Sequence, residues 1–184
     1  MIAPPEGWCW PPDTRWAWRA GLDVGGAHLW PGRTTEPGPV APGLGVFHEG
    51  APPAAQIAPG SGGLALWAGE RAGRFLSLTV DLPAEGVQSL TGRSLVTLAG
   101  RASVTAPLTL SAQLNLANGP NTARQPRPAT MSGALLLAEF DLVYLDLSGH
   151  PIRSAWVDLF IERPSGGALL LQDLTLCHRP RAEF

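Results

Sequence analysis

Lysine is absent from this sequence, so all 13 of its basic residues are arginine, and it has one tyrosine, two cysteines and two methionines in 184 residues. Charge of either sign is scarce. Charged residues make up 15% of the chain against an ordinary share of about 25%, the formal net charge is −2, and no basic run occurs. That shortage excludes a dedicated nucleic-acid binder, whose surface needs a clustered positive footprint. Long hydrophobic runs are also missing. No stretch reaches the roughly 18 apolar residues of a membrane span, which argues against a membrane partner. The first residues, Met1-Ile2-Ala3-Pro4-Pro5-Glu6, lack the basic and apolar regions of a signal peptide. The expectation is cytoplasmic synthesis, with release, if any, by lysis or within a larger particle. In that compartment Cys9 and Cys177, at opposite ends of the chain, read as two free thiols. The missing lysine itself reads as the codon bias of a GC-rich genome.

Glycine, proline and tryptophan are what the chain has in excess: 22, 19 and 7 residues respectively. Five tryptophans, Trp8, Trp10, Trp16, Trp18 and Trp30, fall within the first 30 positions. Up to about residue 63 prolines recur so often that no apolar periodicity survives. Because proline removes a backbone donor and fixes φ, helix and central strand are both excluded there. Residues 1–63 are therefore expected to form an extended arm. Each tryptophan carries about 150–250 Å² of surface that favours burial. Trp8 and Trp10, like Trp16 and Trp18, are two apart and share one side of an extended strand. They are the candidate assembly residues, and the surface that receives them is either the chain's own domain or a partner.

From residue 64 to 184 the pattern is alternation. Leu76, Leu78, Val80 and Leu82 oppose Ser77, Thr79 and Asp81, and Leu108 to Leu116 alternates with Thr109, Ser111, Gln113 and Asn115. Half-buried strands have this period. Further strands fit 93–105, 134–142, 154–162 and 168–177, with one helical turn over 84–90. The long connection 118–132 is expected to run along an edge. This pattern implies an all-β fold, an antiparallel β-sandwich of jelly-roll, carbohydrate-binding-module-like type.

Little in the chain looks catalytic. The four histidines are scattered, with no ligand-pair spacing, and no nucleophile turn occurs. No metal, cofactor or catalytic residue is expected. Glu139 with Asp141, and Asp158 with Glu162, share strand faces and could be drawn as hydrolase pairs; as alternating strand residues they read as solvent faces. The best-defined polar cluster holds all three asparagines of the chain, Asn115, Asn118 and Asn121, close to Gln113. Amides donate and accept at once and so match sugar hydroxyls, but Asn-Gly-Pro-Asn is also a turn signal. If a ligand lies on the open sheet face, Thr109, Gln113, Asn115 and Asp158 line it beside Asn118 and Asn121, with Trp156 as the stacking ring.

Several segments resemble one family: 75–83 (FLSLTVDLP), 118–122 (NGPNT), 139–142 (EFDL), 155–160 (AWVDLF), 173–176 (DLTL) and 179–183 (RPRAE), with 16–19 (WAWR) and 46–49 (VFHE) toward the N-terminus. Together they look like DUF6478, an uncharacterised domain family of Rhodobacter-group alphaproteobacteria. The resemblance carries no enzymatic activity with it. Bacteria of that group produce gene transfer agents, phage-like particles whose head spikes recognise capsular polysaccharide. It implies a noncatalytic head spike or spike base, homo-oligomeric, with other particle proteins and capsular polysaccharide as partners. The alternatives are a monomeric cytoplasmic sugar- or small-ligand-binding sandwich with its arm folded on its own core, and a polysaccharide hydrolase.

Overall fold

A computed structural model describes residues 2–22, 37–49, 55–60, 63–68, 73–147, 150–163 and 166–182. Among these described residues thirteen strands follow one another: β1 (Trp16–Arg19), β2 (Gly38–Ala41), β3 (Leu44–His48), β4 (Ala55–Gly60), β5 (Gly63–Ala68), β6 (Phe75–Asp81), β7 (Ser94–Val104), β8 (Thr109–Asn118), β9 (Asn121–Pro128), β10 (Thr130–Ser132), β11 (Leu135–Asp141), β12 (Ile152–Glu162) and β13 (Gly167–Pro180). One short helix, α1 (Ala84–Ser89), stands between β6 and β7 where a helical turn is expected, and a 3-10 turn (Leu142–Tyr144) follows β11.

The strands form two antiparallel sheets. The first runs β10-β11-β7-β13-β5-β4, and β1 also pairs with β13; the second runs β2-β3-β6-β12-β8-β9. Alternation decides which side chains meet between them. Val96, Leu98, Phe140, Leu174 and Leu176 of the first sheet, and Leu76, Leu78, Leu114, Val157 and Leu159 of the second, are all at most 1% exposed. The all-β sandwich expected from the alternation is the fold observed.

Two expectations need correction. Residues 1–63 are not a separate arm, because their described parts supply β1 and β4 to the first sheet and β2 and β3 to the second. β3 even lies inside its sheet, between β2 and β6. The prolines explain how: Pro39 and Pro59 sit in the edge strands β2 and β4, which pair on one side only and so tolerate a missing donor, while β3 has no proline. The connection 118–132 is likewise not a long loop. Asn118 pairs with Asn121 across a two-residue turn, and β9 follows as an edge strand carrying Pro126 and Pro128. Buried Ala129, whose N–H donates to Leu110 O, then passes the chain across the sandwich edge into β10 of the first sheet.

The described tryptophans of the N-terminal segment are received by the chain itself. Trp16 and Trp18 lie opposite His178 and Leu176 of β13 and pack against the core. Trp16 also presses on α1 where Gly86 lies, and a Cβ there would come within 2.4 Å of its ring. Residues 2–14 cross the outer face of the first sheet. Glu6 pairs with Arg101, Ala3 O accepts from Arg19, and Asp13 pairs with Arg179 at 3.8 Å. Trp8 and Trp10 meet edge to face, ring centroids 5.0 Å apart, and Trp8 lines a groove with Pro11, Thr97 and Glu139. Beneath this strap Ala99, Thr175 and Cys177 have no exposed surface. Trp30 lies outside the described residues.

The covering makes the two thiols unequal. Burial, the largest influence, pushes the Cys177 thiol up to about 11, whereas Cys9 is exposed. A thiol reagent at pH 8 is expected to modify one cysteine per native chain and two after denaturation; two rapid reactions in the native protein would contradict the strap. His178 gives a pH signature. Its ring is buried, Nε2 lies 2.9 Å from Ser94 Oγ, and burial followed by the nearby Arg15 charge holds its pKa below the ordinary 6.5. The folded state therefore takes up the proton less readily than the unfolded chain. Its stabilising effect is complete above pH 6.5, the unfolded value, and is lost as pH falls from there through the lower folded value. The urea midpoint is expected to drop between pH 7.5 and 5.5, and less steeply in His178→Gln.

Candidate functional site

Strands alternate, so each sheet of a sandwich has an outer face that something must cover or water must solvate. The strap covers the middle of that of the first sheet, over Ala99, Thr175 and Cys177, while Trp67 of β5 remains 38% exposed. On the second sheet no described residue does the same. Outward from it point Phe75, Ser77, Thr79 and Asp81 of β6, Trp156, Asp158, Phe160 and Glu162 of β12, and Ser111, Gln113 and Asn115 of β8. Pairing sets them in rows: Asp81, Trp156 and Asn115; Thr79, Asp158 and Gln113; Ser77, Phe160 and Ser111. Phe47 of β3 extends the last row opposite Ser77.

The middle of the face is a connected polar network. Asp158 Oδ1 accepts from Thr79 Oγ at 2.5 Å, and its Oδ2 accepts from Asn115 Nδ2 at 2.8 Å. Asn115 Oδ1 in turn accepts from Gln113 Nε2 at 2.8 Å, and Asn115 Nδ2 also reaches Gln113 O and Trp156 O. Asn115 is 1% exposed, so these bonds replace the water it has lost. Ser111 Oγ donates to Glu162 at 2.5 Å at the edge of the network.

Aromatic rings stand around it. Phe47, Phe75, Trp156 and Phe160, with Asp81 and Asp158, line an open groove of about 490 Å³. Phe75 and Phe160 meet edge to face with centroids 5.6 Å apart, and beyond them a second depression of about 270 Å³ reaches Gln113, Pro126 and Glu162. Phe47 is 39% exposed, and its ring lies over Gly45, where a Cβ would come within 2.8 Å of it. Rings left in water beside ordered amides and a carboxylate are what a polar ligand with an apolar face requires.

Four of the expected ligand residues, Gln113, Asn115, Trp156 and Asp158, come together here. Thr109 shares the face but stands at its end, opposite Glu162. Asn118 belongs to the other set of alternating positions: it is 7% exposed on the core side, and its Oδ1 has no partner among the described residues. Asn121 is exposed across the turn from it. These two asparagines are turn residues, as the Asn-Gly-Pro-Asn signal allows. Trp8, Trp10, Trp16 and Trp18 lie on the other sheet or in the core. Phe47, Phe75 and Phe160 were missed in the sequence, although Phe75 and Phe160 share the strand positions of Ser77 and Asp158 and the alternation alone puts them outward.

The carboxylate pairs find other roles. Glu139 accepts from Arg179 at 3.4 Å, and Asp141 pairs with Arg181 at 3.1 Å. Asp158 and Glu162 are four residues apart on one strand, roughly 13 Å by the strand rise, beyond the roughly 5–9.5 Å that glycosidase carboxylates span. Among the described residues no three histidine, cysteine or acidic side chains gather as a metal site.

A family model matches residues 55–184, that of a family of unknown function, DUF6478. The chain belongs to this family. The match begins within the segment first read as an arm, at β4, and includes most of the bare face, while β3 with Phe47 lies before it. No curated protein matches the DUF6478 chain in sequence. Among solved structures it is similar to the enzymatically active domain of tailspike protein 4 of bacteriophage CBA120, at 10% identity over 72% of this chain with a TM-score of 0.48. The chain spans 19% of that tailspike chain. It is also similar to a xylan-binding module, CBM15 (12% identity, 82% of this chain and 100% of the module, TM-score 0.46), and to a cyclase from Fischerella sp. TAU (15%, 91% and 100%, 0.45). Proteins with such different activities do not lend this chain a function, which has to be read from its own face.

The network carries a stability prediction. Asn115→Ala removes a buried amide and leaves a half-buried carboxylate oxygen of Asp158 and the Gln113 amide without their partner, so a loss of about 2 kcal/mol is expected. Gln113→Ala, at the half-buried end of the chain of bonds, is expected to cost under about 1 kcal/mol. Urea unfolding of both variants checks the order.

Proposed function

We propose that this protein is a noncatalytic β-sandwich that binds a glycan strand along the outer face of its second sheet. The observation that carries this reading is the juxtaposition of four exposed or half-exposed rings with one ordered amide and carboxylate row. A pyranose ring has an apolar C–H face, which stacks on aromatic surface, and a rim of hydroxyls, which pair with groups that donate and accept from fixed positions. An extended, shallow face suits a chain of sugars better than a small enclosed ligand. The packing of half-buried Trp16 and Trp18 against the core of their own chain supports a domain that acts as a monomer.

A finer reading makes this sandwich the head spike, or spike base, of a phage-like particle and the glycan a capsular polysaccharide. Its support is the family resemblance, and co-sedimentation of the chain with such particles is its test.

Titration calorimetry against a panel of soluble polysaccharides tests the main reading. A bound glycan is expected, with Phe160→Ala and Trp156→Ala each weakening it at least tenfold and Trp8→Ala, on the opposite sheet, leaving it unchanged. Equal losses in all three variants would move the site off this face, and a panel with no binder would remove the reading.

A further inference from the structure

The acids of this protein are distributed unevenly. Glu6, Asp13, Glu49, Glu139, Asp141 and Asp173 each stand in an ion pair with an arginine. Asp81, Asp158 and Glu162, all on the bare face of the second sheet, have no ion-pair partner among the described residues. Arg124, which shares that face, is placed on the edge strand beyond Asn115 and does not line the aromatic groove. The groove therefore joins four aromatic rings to two carboxylates, with no cation among its described lining residues.

Geometry sharpens the combination. Asp81 is the direct cross-strand neighbour of Trp156, and Asp158 follows Trp156 by two residues on the same face. Asp81 and Asp158 are thus diagonal neighbours, roughly 7–8 Å apart by sheet geometry, and Trp156 is a neighbour of both. Two like charges held this close around a ring lower the energy of a cation placed there. The carboxylates attract it by charge, and the ring face by its quadrupole. Asp158 has both oxygens engaged by Thr79 and Asn115 yet keeps acceptor capacity, since a carboxylate offers about four lone-pair sites. Asp81 has its carboxylate free of side-chain partners among the described residues.

Resting on the glycan reading above, we infer that the groove selects a glycan strand that carries protonated amino groups, a 2-amino-2-deoxy sugar polymer, with an ammonium seated between Asp81, Asp158 and the ring of Trp156. The rings Phe47 and Phe160, two strands apart at roughly 10 Å, carry the neighbouring sugars of the same strand. A polyuronate or sulfated strand is disfavoured, because its charges would meet the unpaired carboxylates.

The experiment compares three hexasaccharides at pH 6 by titration calorimetry: the glucosamine hexamer, its fully N-acetylated counterpart, and a hexagalacturonate. The expected result is an affinity for the glucosamine hexamer at least tenfold above that for the acetylated one, falling with added salt, and no binding of the hexagalacturonate. In Asp81→Asn, whose melting temperature verifies the fold, the preference is expected to shrink to within about threefold. Equal or tighter binding of the acetylated hexamer, or any binding of the uronate on this face, would overturn the amine inference while leaving the glycan reading standing. If none of the three binds and the wider panel is also silent, both fall. An unchanged preference in Asp81→Asn would also overturn the placement of the ammonium.

Discussion

Much of this structure depends on the pairing of four residues, Trp16–Arg19, with Thr175–His178 near the end of the chain. β13 is the longest strand, and β7 occupies one side of it throughout, while β5 takes only the first part of the other side. β1 takes up backbone groups that would otherwise face water at that edge. The same four residues turn Trp16 and Trp18 toward the core and aim the preceding segment across the outer face of the first sheet. Closing the core and covering that face are thus one event in the chain, since the strand that does the first positions the strap that does the second.

The two sheets consequently have opposite surfaces. Part of one outer face lies under the strap, fastened by ion pairs at Arg101 and Arg179 and by a hydrogen bond from Arg19 to Ala3 O; such pairs at a surface contribute modestly each, and their effect here is mainly to hold a register. The other outer face has no such cover among the described residues and carries rings beside its small polar residues. Exposed aromatic surface costs solvation free energy unless something lies on it, and the polar network beneath the rings is already internally bonded. Its residues are held in one geometry before any ligand arrives, which reduces the ordering a ligand would have to impose.

Sequence reasoning succeeded where the period was clean. β6, β7, β8, β11, β12 and β13 and the helical turn at α1 are all visible as alternation or its interruption, and inward and outward sets follow directly. It failed where proline was taken as a stop. Pro39, Pro59, Pro126 and Pro128 mark edge strands here, and whether a strand is at an edge is a property of the sheet that no local window contains. Of the candidate site, Gln113, Asn115, Trp156 and Asp158 could be gathered because they sit on strands whose pairing is guessable. Phe47 could not, since it belongs to a strand hidden among prolines and joins the face only through β6.

By itself the sequence determined that the chain would make strands with one apolar side, which side of each long strand would be apolar, and that several tryptophans near the N-terminus required burial. Only the tertiary structure decided that the described ones pack half-buried on their own chain, that a strap crosses one sheet and, among the described residues, none crosses the other, and that three carboxylates without an ion-pair partner among those residues share that second face with four rings. The reason is physical: alternation is a local property of two dihedral angles repeated along a strand, whereas neighbourhood across a sheet depends on which strands, distant in the chain, find each other's edges.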